Sequence, residues 1–259
     1  MDIEWINTLY TALTIFVATI VHGIAGFGFA QVSMGAMPLF RSAASAMVIF
    51  SMVAVVSNFR VWWSVRESFE WKEWLKPMLG LIAGLPVGLY VFNQMDKQQV
   101  RLAIGIVLLL AVVLLVLAKQ TKLLKKWVKD SDYEPGWVLP LVVGFIAGIL
   151  GGAVAIPGPP MILYGTFMAA TGKWSHKKMK AIFTAFFGAL MLYRVLAVSI
   201  QGEMTGSLAL EAAIAIPGLL LGAWIGIYIF NKIPQKTFNW VILSLLTVNA
   251  FILIFTTGS

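Results

Sequence analysis

Apolar residues fall along this chain in blocks too long for strands and too uniform for half-buried soluble helices. Six blocks approach the roughly 20 residues a lipid-spanning helix needs: 43–65, 75–92, 100–118, 179–200, 208–230 and 238–256. Two more apolar regions, 5–40 and 137–171, are too long for one span, and each is interrupted near its middle by glycine or proline. The first interruption reads VHGIAGFGFAQVSMGAMP (21–38) and the second AGILGGAVAIPGPPMILYG (147–165). Each region predicts a V that enters the membrane, breaks near mid-depth and returns to the side it came from.

Lys and Arg positions agree with that path. KQTKLLKKWVKD (119–130), KWSHKKMK (173–180) and NKIPQK (231–236) are basic, whereas the N-terminus, QGEMTGS (201–207) and FTTGS (255–259) carry neither residue. Positive loops mark the cytoplasmic side, so the region between Lys119 and Lys173 must leave and return there, as a V does. Lys97 and Arg101 fall on the outer side against the rule. The two termini are expected outside.

An internal repeat points the same way. GLIAGLPVGLYVFN from Gly80 and GLLLGAWIGIYIFN from Gly218 agree at seven of 14 positions, 138 residues apart. Glycines at four-residue spacing read as helix-packing devices; the shared Tyr-x-Phe-Asn ending is harder to ascribe to packing. The expected fold is an all-α polytopic membrane protein of two inverted-topology repeats, each a V plus three transmembrane helices, with eight to ten membrane segments in all. The expected divisions are a first repeat over 1–118, a basic cytoplasmic linker over 119–136 and a second repeat over 137–259.

Composition narrows the chemistry. Of 259 residues 60% are hydrophobic and 12% charged, with a mean hydropathy of +0.89, well outside the soluble range. Asp2 and Glu4 stand where a signal peptide would be basic, so the first helix is expected to be retained. The absence of cysteine removes disulfides, thiolate metal sites and thiol nucleophiles. A net charge of +8 reads as cytoplasmic loops rather than a nucleic-acid surface.

No Asp or Glu lies mid-span, so a carboxylate proton relay or sodium cage is not expected. Arg60 and Arg194 are the charges that fall within spans; Arg60 is near enough to its helix end to snorkel, and Arg194 is the better anion ligand. His22 is the candidate for proton coupling, with a buried neutral histidine as the alternative. Gln31, Ser33, Asn58 and Tyr193 are neutral ligand candidates. A helix restarted after a break aims free N–H groups and a positive dipole end inward, a ready anion site. No Ser/His, His/Glu or paired-carboxylate arrangement lies at membrane depth, which disfavours an enzyme, and no cofactor or metal is expected.

GIAGFGFAQVSMGAMP and AGILGGAVAIPGPP, each opening one half, together with the Tyr-x-Phe-Asn helices and KWSHKKMKAIF, make the chain resemble the sulfite exporter TauE/SafE family of small bacterial membrane transporters. Phe29, Ala30, Ala153 and Val154 occupy places where that family is often richer in glycine. The resemblance implies an exporter or permease of a small sulfur-containing anion such as sulfite or an organosulfonate in the bacterial inner membrane. The anion is expected between the V tips, at Gly26, Phe27, Gly28, Phe29 and Gln31 and at Gly151, Gly152, Ala153 and Pro157. Arg194 and Arg60 would supply charge, with Asn58 and Tyr193 beside them. An anion channel on the same scaffold and a membrane subunit without transport are the alternatives; oligomeric state is open, a homodimer included.

Overall fold

A computed structural model describes residues 5–120 and 136–232, and within them every regular element is a helix. The expected span 238–256 and nearly all of the linker lie outside the described residues. In order the helices are α1 (Trp5–Ala25), α2 (Phe29–Ala36), α3 (Ala43–Trp63), α4 (Trp71–Gln94), α5 (Lys97–Gln120), α6 (Val138–Val154), α7 (Gly158–Ala170), α8 (His176–Ile200) and α9 (Gly206–Phe230). Among them α1, α3, α4, α8 and α9 are long and apolar enough to cross a membrane. Helices α3, α4, α8 and α9 begin within four residues of the expected starts; Ser42, Ser175 and Thr205 cap three of them by accepting from the backbone N–H three residues on.

The helices carry large apolar residues on their outer faces as well as in the core. On α1 the exposed side chains are Trp5, Ile6, Leu9, Tyr10, Leu13 and Val17, while Thr8, Thr11, Thr19 and His22 are buried. The outer stripe suits lipid, and the inner threonines remain satisfied because Thr11 and Thr19 donate to the carbonyls of Asn7 and Ile15, each at 2.7 Å. On α9 the exposed row includes Ile214, Leu221, Trp224 and Tyr228, and the buried row is mostly small, Ala212, Ala215, Gly222, Ala223 and Gly226 beside Leu219. Small residues inward and large apolar residues outward is what helix packing in lipid requires.

Two parallel helix pairs organise the bundle. Helix α4 lies along α6: a methyl group on Gly80, Gly84 or Gly88 would collide with the carbonyl of Leu141, Phe145 or Ile149 respectively, and one on Gly144 with that of Pro77. Helix α9 lies along α1 in the same manner, with Gly222 against the Phe16 carbonyl and Gly226 against that of Ile20. The glycines at four-residue spacing are therefore packing devices. At the end opposite the basic loops, Arg41 donates to the Glu211 carboxylate at 2.5 Å, tying the chain after α2 to α9.

Each V has one long limb and one short: α1 then α2, α6 then α7. The breaks at Gly26–Gly28 and Ala155–Pro157 do not share the middle depth expected of them. Gly23 packs on Gly226, four residues before α9 ends, so the first break lies toward the end carrying Lys173, Lys177 and Lys232. Gly152 packs on Leu85 and Leu89, shortly before α4 ends, so the second break lies toward the opposite end. Hydropathy averages over a whole span and carries no depth information, which is why the offset was not foreseen.

The glycine seats can be separated by mutation. Gly84→Leu must push backbones apart, at a cost of about 1–3 kcal/mol or more, and should lower the thermal midpoint of detergent-solubilised protein sharply. Gly218→Ala, where the added methyl finds its nearest atoms at an ordinary 3.8 Å, should leave the midpoint unchanged or slightly raised.

Candidate functional site

The first break is made by two glycines. Gly26 (φ 75°) ends α1 and Gly28 (φ 91°) caps α2, both in the left-handed region. Gly26 is also crowded, since a methyl there would stand 2.6 Å from Cγ of Lys180. Helix α2 starts at Phe29, and the first amide drawn back into the turn is that of Val32, which donates to the Gly28 carbonyl at 3.0 Å. The N–H groups of Phe29, Ala30 and Gln31 precede it and find no acceptor within the helix.

The second break differs. Ala155 (φ 60°) takes the left-handed conformation where glycine is usual, its N–H donating to the Gly151 carbonyl at 3.1 Å while that of Ile156 reaches Leu150. Helix α7 then begins Gly158, Pro159, Pro160. Two of its first three residues lack an N–H, so the second helix start offers far fewer donors than the first.

Between the breaks is a cavity of about 20 Å³, room for a water molecule or two with the walls as they stand. The first V contributes His22, Phe27, Gly28, Phe29, Ala30 and Gln31; the second contributes Pro157 and Gly158; α3 adds Phe50 and Asn58, and α8 adds Phe187 and Met191. His22 stacks on Phe29 with centroids 5.5 Å apart and planes within 3°, and its Nδ1 is 2.7 Å from Oγ of Ser57. Asn58 donates from Nδ2 to the Ala54 carbonyl at 2.8 Å. Its Oδ1 and the Gln31 Nε2 are buried without a hydrogen-bond partner, and Gln31 Nε2 lies directly over Gly158. Buried amides normally find partners. A pocket that joins a free amide donor and a helix start to aromatic walls can hold a small anion by dipoles, with an apolar surface for any carbon the anion carries.

Of the expected site residues, the structure thus brings together Phe27, Gly28, Phe29, Gln31, Pro157, Asn58 and His22 around one cavity. The others lie elsewhere. Arg194 is 1% exposed and turns away: its Nη1 donates to the Gly151 carbonyl at 2.9 Å and also to that of Gly152, and its guanidinium lies 5.7 Å from the centre of the Phe92 ring. It caps the C-terminal end of α6, whose carbonyls carry the negative end of the helix dipole. Gly151, Gly152 and Ala153 form that last turn, with Gly152 packed on α4, and none of the three lines the cavity. Gly26 supports the break from behind, against Lys180. Arg60 is half-buried in the last turn of α3, away from the lining. Tyr193, beside Arg194 in sequence but about 100° around the helix, is 43% exposed on the outer surface.

Lys180 is the residue that reading the sequence missed. It is 1% exposed, and its Nζ donates to the Gly23 carbonyl at 2.6 Å and stands 3.8 Å from the centre of the Phe230 ring. Lys180 thus does for α1 what Arg194 does for α6, and Phe230 and Phe92 are the phenylalanines of the two Tyr-x-Phe-Asn endings. The signal was present: Lys180, Phe183, Phe187, Leu190 and Arg194 follow 3-4-3-4 spacing and occupy one face of α8. Four other positive or titratable neighbours in KWSHKKMK disguised it as loop charge.

A family model described as sulfite exporter TauE/SafE matches residues 11–253. Comparison with curated proteins and with solved structures finds no match.

Arg194→Met would keep volume but leave the Gly152 carbonyl without its donor. A buried polar group so stranded costs about 1–3 kcal/mol, so the variant should show a lowered thermal midpoint in detergent. A residue acting only as an anion ligand would leave that midpoint where it was.

Proposed function

The chain belongs to the sulfite exporter TauE/SafE family, and on that premise we propose that it is a secondary carrier that moves a small sulfur-containing oxyanion, sulfite or an organosulfonate, across the bacterial inner membrane by alternating access. The observation that carries this reading is the cavity between the breaks, where the start of α2 and the free Gln31 amide face aromatic walls. Anionic oxygens would accept from the Phe29, Ala30 and Gln31 N–H groups and from Gln31 Nε2, and the positive end of the α2 dipole favours their charge. Phe27, Phe50, Phe187 and Met191 would receive the sulfur or the carbon portion of an organosulfonate. Arg194, held in the protein interior without touching the cavity, would add positive potential.

Other features support the carrier mechanism. The glycine-bearing helix of each half packs on the long limb of the other half's V, α4 on α6 and α9 on α1, the exchange expected of two inverted repeats about a pseudo-twofold axis. A cavity of about 20 Å³ is far smaller than the lumen of an open pore. The basic end is taken as cytoplasmic and both termini as extracytoplasmic.

Counterflow of labelled sulfite in proteoliposomes tests the proposal, with sulfate, taurine, sulfoacetate and chloride as challengers. Saturable exchange is expected, and Gln31→Leu should raise the half-saturating sulfite concentration at least tenfold. The same variant should be as stable as the wild type or more so, because it removes an unpartnered amide. Non-saturating current without counterflow would replace the carrier by a channel, and silence in both assays would leave a subunit without transport.

A further inference from the structure

At the basic end a second hollow, of about 160 Å³, opens among the turn between α3 and α4, the start of α8 and the end of α9. Its walls include Arg66, Glu67, Ser68, Lys177, Phe230 and Asn231. The volume suits a small oxyanion with part of its water shell. Arg66 and Lys177 on the lining outnumber its acid, Glu67, and the next acid along the turn, Glu70, is engaged by Lys178 at 2.7 Å.

Phe230 joins this hollow to the interior. Phe230 contributes to the wall, and Lys180 Nζ lies over its ring at 3.8 Å. An ammonium has three donors. Here one reaches the Gly23 carbonyl, and among the described residues Lys180 forms no ion pair with any carboxylate. A buried cation without a counter-charge is costly, and an anion arriving from the hollow would supply the missing charge. The face of α8 that bears Lys180 leads on, seven residues later, to Phe187 at the central cavity.

We infer that the hollow at the basic end is the cytoplasmic docking site for the transported oxyanion, with Phe230 as its inner wall and Lys180 as the cation that draws the anion past it. The inference rests on the carrier reading above and adds where the anion first binds and which residue receives it.

Sulfite uptake measured in right-side-out and in everted membrane vesicles tests it. Lys180→Gln should raise the half-saturating concentration at the cytoplasmic face at least tenfold and change the other face less than twofold. Lys177→Glu, on an exposed lip at a helix start that tolerates acids, should raise the cytoplasmic value at least threefold, by an amount that shrinks as salt screens the charge. Should Lys180→Gln fail to fold or to transport, Lys177→Glu decides alone. Equal shifts at both faces, or none, in a wild type that does exchange sulfite overturn the docking site while sparing the carrier. A wild type that exchanges no anion overturns the carrier and the docking site with it.

Discussion

A helix that stops inside a membrane leaves carbonyl groups that hydrocarbon cannot satisfy. This protein ends two helices, α1 and α6, in its buried interior, and the requirement to cap them organises much of what surrounds the breaks. The end of α1 is met by Lys180 and the end of α6 by Arg194, both from the buried face of α8. Each cation is backed by a phenylalanine, Phe230 or Phe92, from the helix packed on that same limb. Charge that would be prohibitive in lipid is thus held by backbone dipoles and ring faces.

Close backbone approach makes those caps reachable. Glycines on α4 and α9 let them sit against α6 and α1 with carbonyls where side chains would otherwise be. The tyrosine, phenylalanine and asparagine that end each glycine-bearing helix are thereby brought level with the end of the limb beside it. Packing and capping are two parts of one arrangement, which accounts for a repeat that joins three spaced glycines to one aromatic ending.

The sequence made most helices legible, because length and uniform hydrophobicity are properties of contiguous residues. Spans expected at 43–65 and 208–230 became α3 and α9 with ends shifted by two residues at most. The long apolar regions are interrupted in the structure after Ala25 and after Val154, at the first of which few residues other than glycine accept the backbone angles of Gly26 and Gly28. What could not be read was where charged side chains point. Arg194 binds backbone carbonyls, which have no residue-type signature, and Lys180 stood at the end of a run of loop lysines. Tyr193 is a neutral ligand candidate by residue type alone, and it stands 43% exposed on the outer surface, a direction that residue type does not encode.

Both caps hang from a single stiff rod. Lys180 and Arg194 are 14 positions apart on α8, about 21 Å along its axis, with the central cavity between them. A pivot of α8 about its middle moves its ends in opposite directions, so the grip on α1 and the grip on α6 cannot be adjusted independently. The two V-shaped hairpins, which barely share a sequence signature, are thus tied to each other through one part that touches both.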